Sequence, residues 1–271
     1  MGTSDAKVLL LVGHALYEPW TSILRDGQLE TWASDDQLQI MHCHAKPVSR
    51  LLRKIDSKFW NLKWNKRFGK IAIAIEILIK APFGLFVGNL KETKLFDTSH
   101  NALLLNIPDL DFLMNYKSFA VTTGILKFDF DFVVITTSSS YLSLNLLSKE
   151  ISKLPRKNTV AGRILEQNGI QFASGSFKVF SRDIVESIRE NKKLYSKWRA
   201  DDLAYGFQLK KINPSVNYIK LRSIDADSES IIESLTDLDI NSIVHYRLKS
   251  GTQKKRNDVF LMNLLHKRLI K

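Results

Sequence analysis

Phe132-Val133-Val134-Ile135-Thr136-Thr137-Ser138-Ser139-Ser140-Tyr141-Leu142 is the stretch on which the fold turns. Its first six residues are aromatic or β-branched with one aliphatic run and no charge, the composition of a buried strand. The apolar pattern reaches back to Phe128, so Phe128–Thr137 reads as a strand. Three serines then make a polar corner, and Tyr141–Leu154 reads as a helix closed by Pro155.

The same alternation extends outward in both directions. Lys7–Val12 is a short apolar run ended by Gly13, a second buried strand with a tight loop behind it. Glu18–Leu29 reads as a short helix, and Gln37–Cys43 as a strand before Pro47. Val48–Ala81 is helical and basic, with Trp60, Trp64 and Phe68 at i, i+4 and i+8; this stripe is expected to pack on the sheet, with a membrane-touching helix as the alternative. Ala102–Ile107 is a further strand and Phe112–Leu126 a helix. Gln171–Phe180 is extended, and Ser181–Asn191 a helix with Ser181 at its N-cap and Asp183 and Glu186 in its early turns. Strands alternating with helices predict an α/β protein whose mostly parallel central sheet is covered on both faces. The expectation is a single domain over residues 1–271, made of halves at about 7–140 and about 141–271.

Composition narrows the class. With 44% apolar residues in 271, the chain can bury a full core. Its charge of +12, from 40 basic and 28 acidic residues, favours anionic partners: phosphorylated small molecules, a membrane surface or nucleic acid. Much of the excess lies in Lys46–Lys70 and Tyr246–Lys271. Cys43 stands alone, so no intrachain disulfide forms, which fits a reducing compartment. The first residues lack a signal-peptide pattern, and Ile71–Ile79, broken by Glu76, is too short to span a bilayer. A cytoplasmic protein, with a peripheral membrane contact as an extension, is expected. No phosphate loop, dinucleotide fingerprint or Gly-x-Ser-x-Gly elbow is present. His42 and His44 share one face of a strand with no third ligand near them in sequence, so a metal site there is disfavoured.

Six short elements occur in a meaningful order. They are Arg25 through Thr31-Trp32; Asn115-Tyr116-Lys117-Ser118; the strand and serine corner; Ala173-Ser174-Gly175-Ser176-Phe177-Lys178-Val179-Phe180-Ser181-Arg182-Asp183; Asp201-Asp202-Leu203-Ala204-Tyr205-Gly206; and His245-Tyr246-Arg247. In this order they resemble the fringe-like inverting glycosyltransferases, which make β-1,3-linked sugars. The resemblance implies a GT-A-like fold, a Rossmann-like nucleotide-binding half joined to an acceptor-binding half. It departs from the family at one place: three aspartates of the family's metal corner stand here as Ser138-Ser139-Ser140.

The resemblance also implies roles. Asp202 is the base that takes the proton of the acceptor hydroxyl, with Asp201 as alternate or acceptor-binding neighbour; two adjacent carboxylates also occur simply as a helix N-terminus. Arg25, Thr31, Trp32, Lys117, Ser138, Ser140, His245, Arg247, Lys249 and Arg256 fall at donor-binding positions, and Ser174, Gly175 and Ser176 at acceptor-binding ones. His245 reads as the remnant of a metal histidine, turned to a phosphate. Relatives use a divalent cation, Mn²⁺ or Mg²⁺, but neutral hydroxyls are poor sole ligands for a hard cation. The expectation is therefore a metal-independent transferase in which Arg247, Lys249, Lys254, Lys255 and Arg256 supply positive charge to a diphosphate. Its partners would be a nucleotide sugar, a UDP-sugar foremost, and a glycan or lipid-linked acceptor. The alternatives are a degenerate sugar- or nucleotide-binding protein, and a basic protein that binds a membrane surface or, less in keeping with the ordered motifs, nucleic acid.

Overall fold

A computed structural model describes residues 6–34, 38–63, 90–94, 101–196, 199–251 and 256–270. The strands are β1 (Val8–Gly13), β2 (Gln39–Lys46), β3 (Leu90–Lys94), β4 (Asn101–Pro108), β5 (Phe132–Thr137), β6 (Ser140–Leu142), β7 (Thr159–Gln167), β8 (Ile170–Ser181), β9 (Asn217–Lys220), β10 (Ser223–Asp225) and β11 (His245–Arg247). The α-helices are α1 (Trp20–Ser22), α2 (Arg50–Lys63), α3 (Met114–Gly124), α4 (Leu144–Ile151), α5 (Arg182–Glu190), α6 (Asp201–Ile212), α7 (Glu229–Glu233), α8 (Asp237–Ile240) and α9 (Asp258–Leu269). Trp64, Phe68 and the Ile71–Ile79 run lie outside the described residues.

Eight strands form one sheet in the order β3-β4-β2-β1-β5-β8-β7-β9, and β10-β11-β6 form a second, small one. From β4 to β5 the large sheet is parallel; β3 and β8 then pair antiparallel on either side. The fold is α/β, with helices on both faces of the sheet. Successive strand residues point to opposite faces. Leu10, Val12, Phe132 and Val134 therefore enter a core closed by α4, α9 and the small sheet. Leu9, Leu11 and Val133 enter the other, closed by α3, α5 and α6. Burial on both faces is why β1 and β5 read as unbroken apolar runs.

Two expectations are corrected and one strand is added. Tyr141 does not begin a helix: Ser140–Leu142 pairs antiparallel with His245–Arg247, and the helix starts at Leu144. Tertiary pairing overrides local pattern there, since Tyr141 is buried against Trp32, Tyr246 and His266. The expected helix Glu18–Leu29 is one α turn followed by a wider π-type segment, Ile23–Gln28. Strand β7 was not anticipated. It forms a hairpin with β8 through Asn168-Gly169, both at positive φ (52° and 67°), the backbone that a tight Asn-Gly hairpin turn requires.

The parallel strands run outward from β1 to β2 and β4, and the chain then crosses back to lay β5 on the other side of β1. Such a reversal opens a crevice beyond the carboxyl ends of the two strands, where open α/β sheets bind ligands.

Candidate functional site

The register of the sheet places the singled-out residues along that carboxyl edge. Gly13 lies abreast of Cys43 on one side and Thr137 on the other, and Thr136 is abreast of Phe177. His14, His44, the serine corner and Gly175-Ser176 thus share one edge.

The corner is a dense hydrogen-bond system. Ser138 N donates to the Gly13 carbonyl (3.1 Å), and Leu248 N to the Ser139 carbonyl (2.7 Å). Trp32 Nε1 donates to the Ser140 carbonyl (3.0 Å), and Gln28 Nε2 to the carbonyls of Thr137 (3.3 Å) and Ser140 (3.4 Å). His245 is fully buried, stacked on Phe177 at 4.8 Å, with Nε2 3.0 Å from Ser140 Oγ and Nδ1 2.6 Å from Ser223 Oγ. Burial, reinforced by Arg163 and Arg247, pushes its pKa down to about 3, so the ring is neutral. A ring enclosed this way, with both nitrogens engaged, does not reach a phosphate. Trp32 and Thr31 are likewise framework: both are buried, and Thr31 Oγ1 donates to the Gly27 carbonyl (2.7 Å).

The expected cations divide. Arg256 does reach the corner: its guanidinium donates to Ser139 Oγ (2.5 Å) and lies 4.8 Å from the Trp20 ring. It is also bound to Asp258, with Nε 2.9 Å from Oδ1, and both side chains are almost wholly buried. Arg247 faces Asp225 at 3.6 Å, a carboxylate that Arg163 already holds through two bonds of 2.6 and 2.7 Å. Lys249 is exposed, and its pKa is lowered by partial burial of its amine and then by Arg247 and Arg256 nearby. Lys117 is tied to Asp109 (2.8 Å), and Arg25 pairs with its neighbour Asp26 (2.7 Å). Lys254 and Lys255 lie outside the described residues.

The acidic pair opens α6 as its first two residues. Gly206 lets this helix lie against β8: a Cβ there would stand 2.6 Å from the Gln171 carbonyl oxygen and 2.8 Å from Phe172 Cβ. The close approach brings the helix N-terminus over Gly175. Asp202 accepts from Gly175 N (3.2 Å) and Leu203 N (2.8 Å) and stays partly exposed. Asp201 faces Lys178 Nζ at 3.4 Å. Lys178, 2% exposed, also lies 3.4 Å from Ser118 Oγ and 4.8 Å from the centre of the Tyr205 ring.

Lys178 is a site residue that the motif order does not single out. Its signal was there: a lysine inside Phe177-Lys178-Val179-Phe180 needs a buried counter-charge. Gly175, by contrast, is not required by space, since a Cβ there would meet the two carboxylates at 3.8–3.9 Å, ordinary contact. Ser174 Oγ lies 3.1 Å from Ser176 Oγ. The Ser176 carbonyl accepts from Ser140 Oγ (3.2 Å) and Thr136 Oγ1 (2.8 Å). Corner and acidic pair are therefore linked through three successive groups: Ser140, the Ser176–Gly175 backbone and Asp202.

A third histidine joins His42 and His44 after all. His14, at the end of β1, has its ring centre 5.5 Å from that of His42 and 5.7 Å from that of His44. Burial and the two neighbouring rings push its pKa well down, and burial lowers that of His44. Among the described residues no group of three or more His, Cys, Asp or Glu side chains is arranged to hold a metal ion. The serine corner does not fit a divalent cation either. Its hydroxyls are neutral, His245 is spent on two serines, and the carboxylate beside it, Asp258, is neutralised by Arg256.

No protein-family model matches the chain, and no curated protein matches it. Among solved structures it is similar to a glycosyltransferase involved in the glycosylation of the major capsid of PBCV-1. The two share 10% identity over 94% of this chain and 98% of that one, with a TM-score of 0.47. At that level the likeness says nothing of substrate or mechanism. No helix among the described residues is long and apolar enough to cross a membrane.

Proposed function

We propose that the chain is a GT-A-like inverting glycosyltransferase that moves a sugar from a nucleotide sugar to an acceptor hydroxyl without a metal ion. One observation carries the reading: a partly exposed carboxylate, Asp202, is held by the Gly175 backbone on the edge where the parallel sheet reverses. The order of motifs supports it, because the acidic pair and the Ser-Gly-Ser strand meet in space as a transferase of the fringe-like kind needs them to.

In this reading the acceptor oxygen bonds to the anomeric carbon on the face opposite the departing diphosphate. Its proton passes to Asp202, and the bonding pair leaves with the nucleoside diphosphate. A base so placed contributes about 10²–10⁴-fold. Asp201, paired with Lys178, serves as anchor and acceptor neighbour. Lys249 and Arg247 supply charge to the leaving diphosphate; Arg256, carrying its own carboxylate, orders the corner instead. The internal satisfaction of the corner also favours a second reading, a protein that binds a nucleotide or sugar and does not turn it over.

A thermal-shift panel of nucleoside diphosphates and nucleotide sugars, each with Mn²⁺ and with EDTA, tests this. A ligand at a hundred times its dissociation constant adds about 2.7 kcal/mol. The expected result is a shift with one nucleotide class that survives EDTA. No shift with any member of the panel would overturn the transferase reading and nucleotide binding with it, and a shift seen only with Mn²⁺ would overturn the metal-free one.

A further inference from the structure

Over residues 50–58, helix α2 turns polar side chains inward. The Arg53 guanidinium packs over the Tyr17 ring at 4.4 Å. Asp56, 6% exposed, accepts a hydrogen bond of 2.5 Å from Asp111 N. Leu51, Leu52 and Ile55 are left outside, 68%, 49% and 55% exposed, among the exposed Arg50, Lys54 and Lys58. A surface helix of a globular protein normally does the reverse.

We propose that this face of α2 docks the protein on an anionic lipid bilayer. Leu51, Leu52 and Ile55 would enter the headgroup–acyl boundary, and Arg50, Lys54 and Lys58 would sit on the lipid phosphates. The charge pattern selects this occupant. Residues 46–70 hold nine Lys and Arg against a single acidic residue, Asp56, and Asp56 is the one turned inward. The outer face therefore combines aliphatic side chains with cations and no anion, the pattern of helices that lie in a membrane interface. Nucleic acid would use the cations and leave the aliphatic side chains wet. The inference does not depend on the transferase reading: it concerns where the molecule sits, whatever its edge of the sheet binds.

Co-sedimentation of the full chain with phosphatidylcholine vesicles, with and without 30% phosphatidylserine, is the test. The protein is expected to pellet with the anionic vesicles and stay in solution with the neutral ones. Replacing Leu51, Leu52 and Ile55 together by Ser should lower the partition more than about tenfold. Lys54→Gln and Lys58→Gln should each lower it about fivefold. Because these side chains are exposed, the midpoint of thermal unfolding should not move, which separates lost binding from lost folding. Overturning results are absence of pelleting with anionic vesicles, or pelleting by the triple Ser variant at the wild-type level. The second would assign the face to polyanions at large, and a duplex DNA competitor would then release the protein.

Discussion

The serine corner and the acidic pair share one sheet edge and one hydrogen-bond chain, yet they are built on opposite terms. At the corner every named group is turned inward: Ser140 and His245 are fully buried, Trp32 donates to a backbone carbonyl, and Arg256 carries its own carboxylate. At the acidic pair, one carboxylate is balanced by a buried lysine, while the other, among the described residues, is held by backbone N–H groups and stays partly exposed. Polar residues that satisfy one another define a shape. Those left partly open can act on something else. Under the proposed function, that difference favours Asp202 over the corner as the place of chemistry.

The sharpest way to break this contrast on stability is Asp201→Ala. It leaves Lys178 buried without its carboxylate and is expected to cost about 3 kcal/mol, read by urea unfolding. An unchanged midpoint would mean that the lysine is not held by this pair. Next comes Gly206→Ala, whose new methyl meets backbone and should cost about 2 kcal/mol, while Gly175→Ala on the facing strand should cost less than about 0.5 kcal/mol. Equal losses would refute the packing that sets α6 on β8. Ser140→Ala removes a partner from His245 and from the Ser176 carbonyl, and about 1.5 kcal/mol should go with it.

Acidity probes the corner as well. His245 has a folded pKa of about 3 against an unfolded value near 6.5, and His14 and His44 are shifted in the same direction. Below pH 6.5 the unfolded chain takes up protons that the folded one does not. Stability is therefore flat in these groups above about pH 7 and falls as pH drops toward 3, by up to about 1.4 kcal/mol per pH unit for each proton. Unfolding midpoints at pH 7.5, 6 and 5 check this above the carboxylate range. A rise in stability on acidification would contradict the burial of His245.

How much of this was legible follows from what each element depends on. β1 and β5 could be read directly because both faces are buried and the apolar run is unbroken. β7 was hidden because its outer half, Arg163 to Gln167, is largely polar and exposed, although the Asn168-Gly169 turn marked its end. β6 has three residues and exists only by pairing with β11, so nothing local announces it. In the site, the positions of Asp201, Asp202 and the Ser-Gly-Ser strand were readable from motif order. The enclosure of His245 was not, since it depends on the small sheet closing over it. His14 could not be joined to His42 and His44 without the parallel register that sets Gly13 against Cys43.

Asp202 as the base is tested most directly by release of a nucleoside diphosphate, with water as the acceptor, from a panel of UDP-sugars and other nucleotide sugars, in EDTA, by the wild-type chain and by Asp202→Asn. The account predicts release by the wild type without added metal, and a loss of about 10²–10⁴-fold in the variant with its unfolding midpoint and nucleotide-induced thermal shift unchanged. Release by Asp202→Asn at the wild-type rate, or release by the wild type only when Mn²⁺ is supplied, would contradict it.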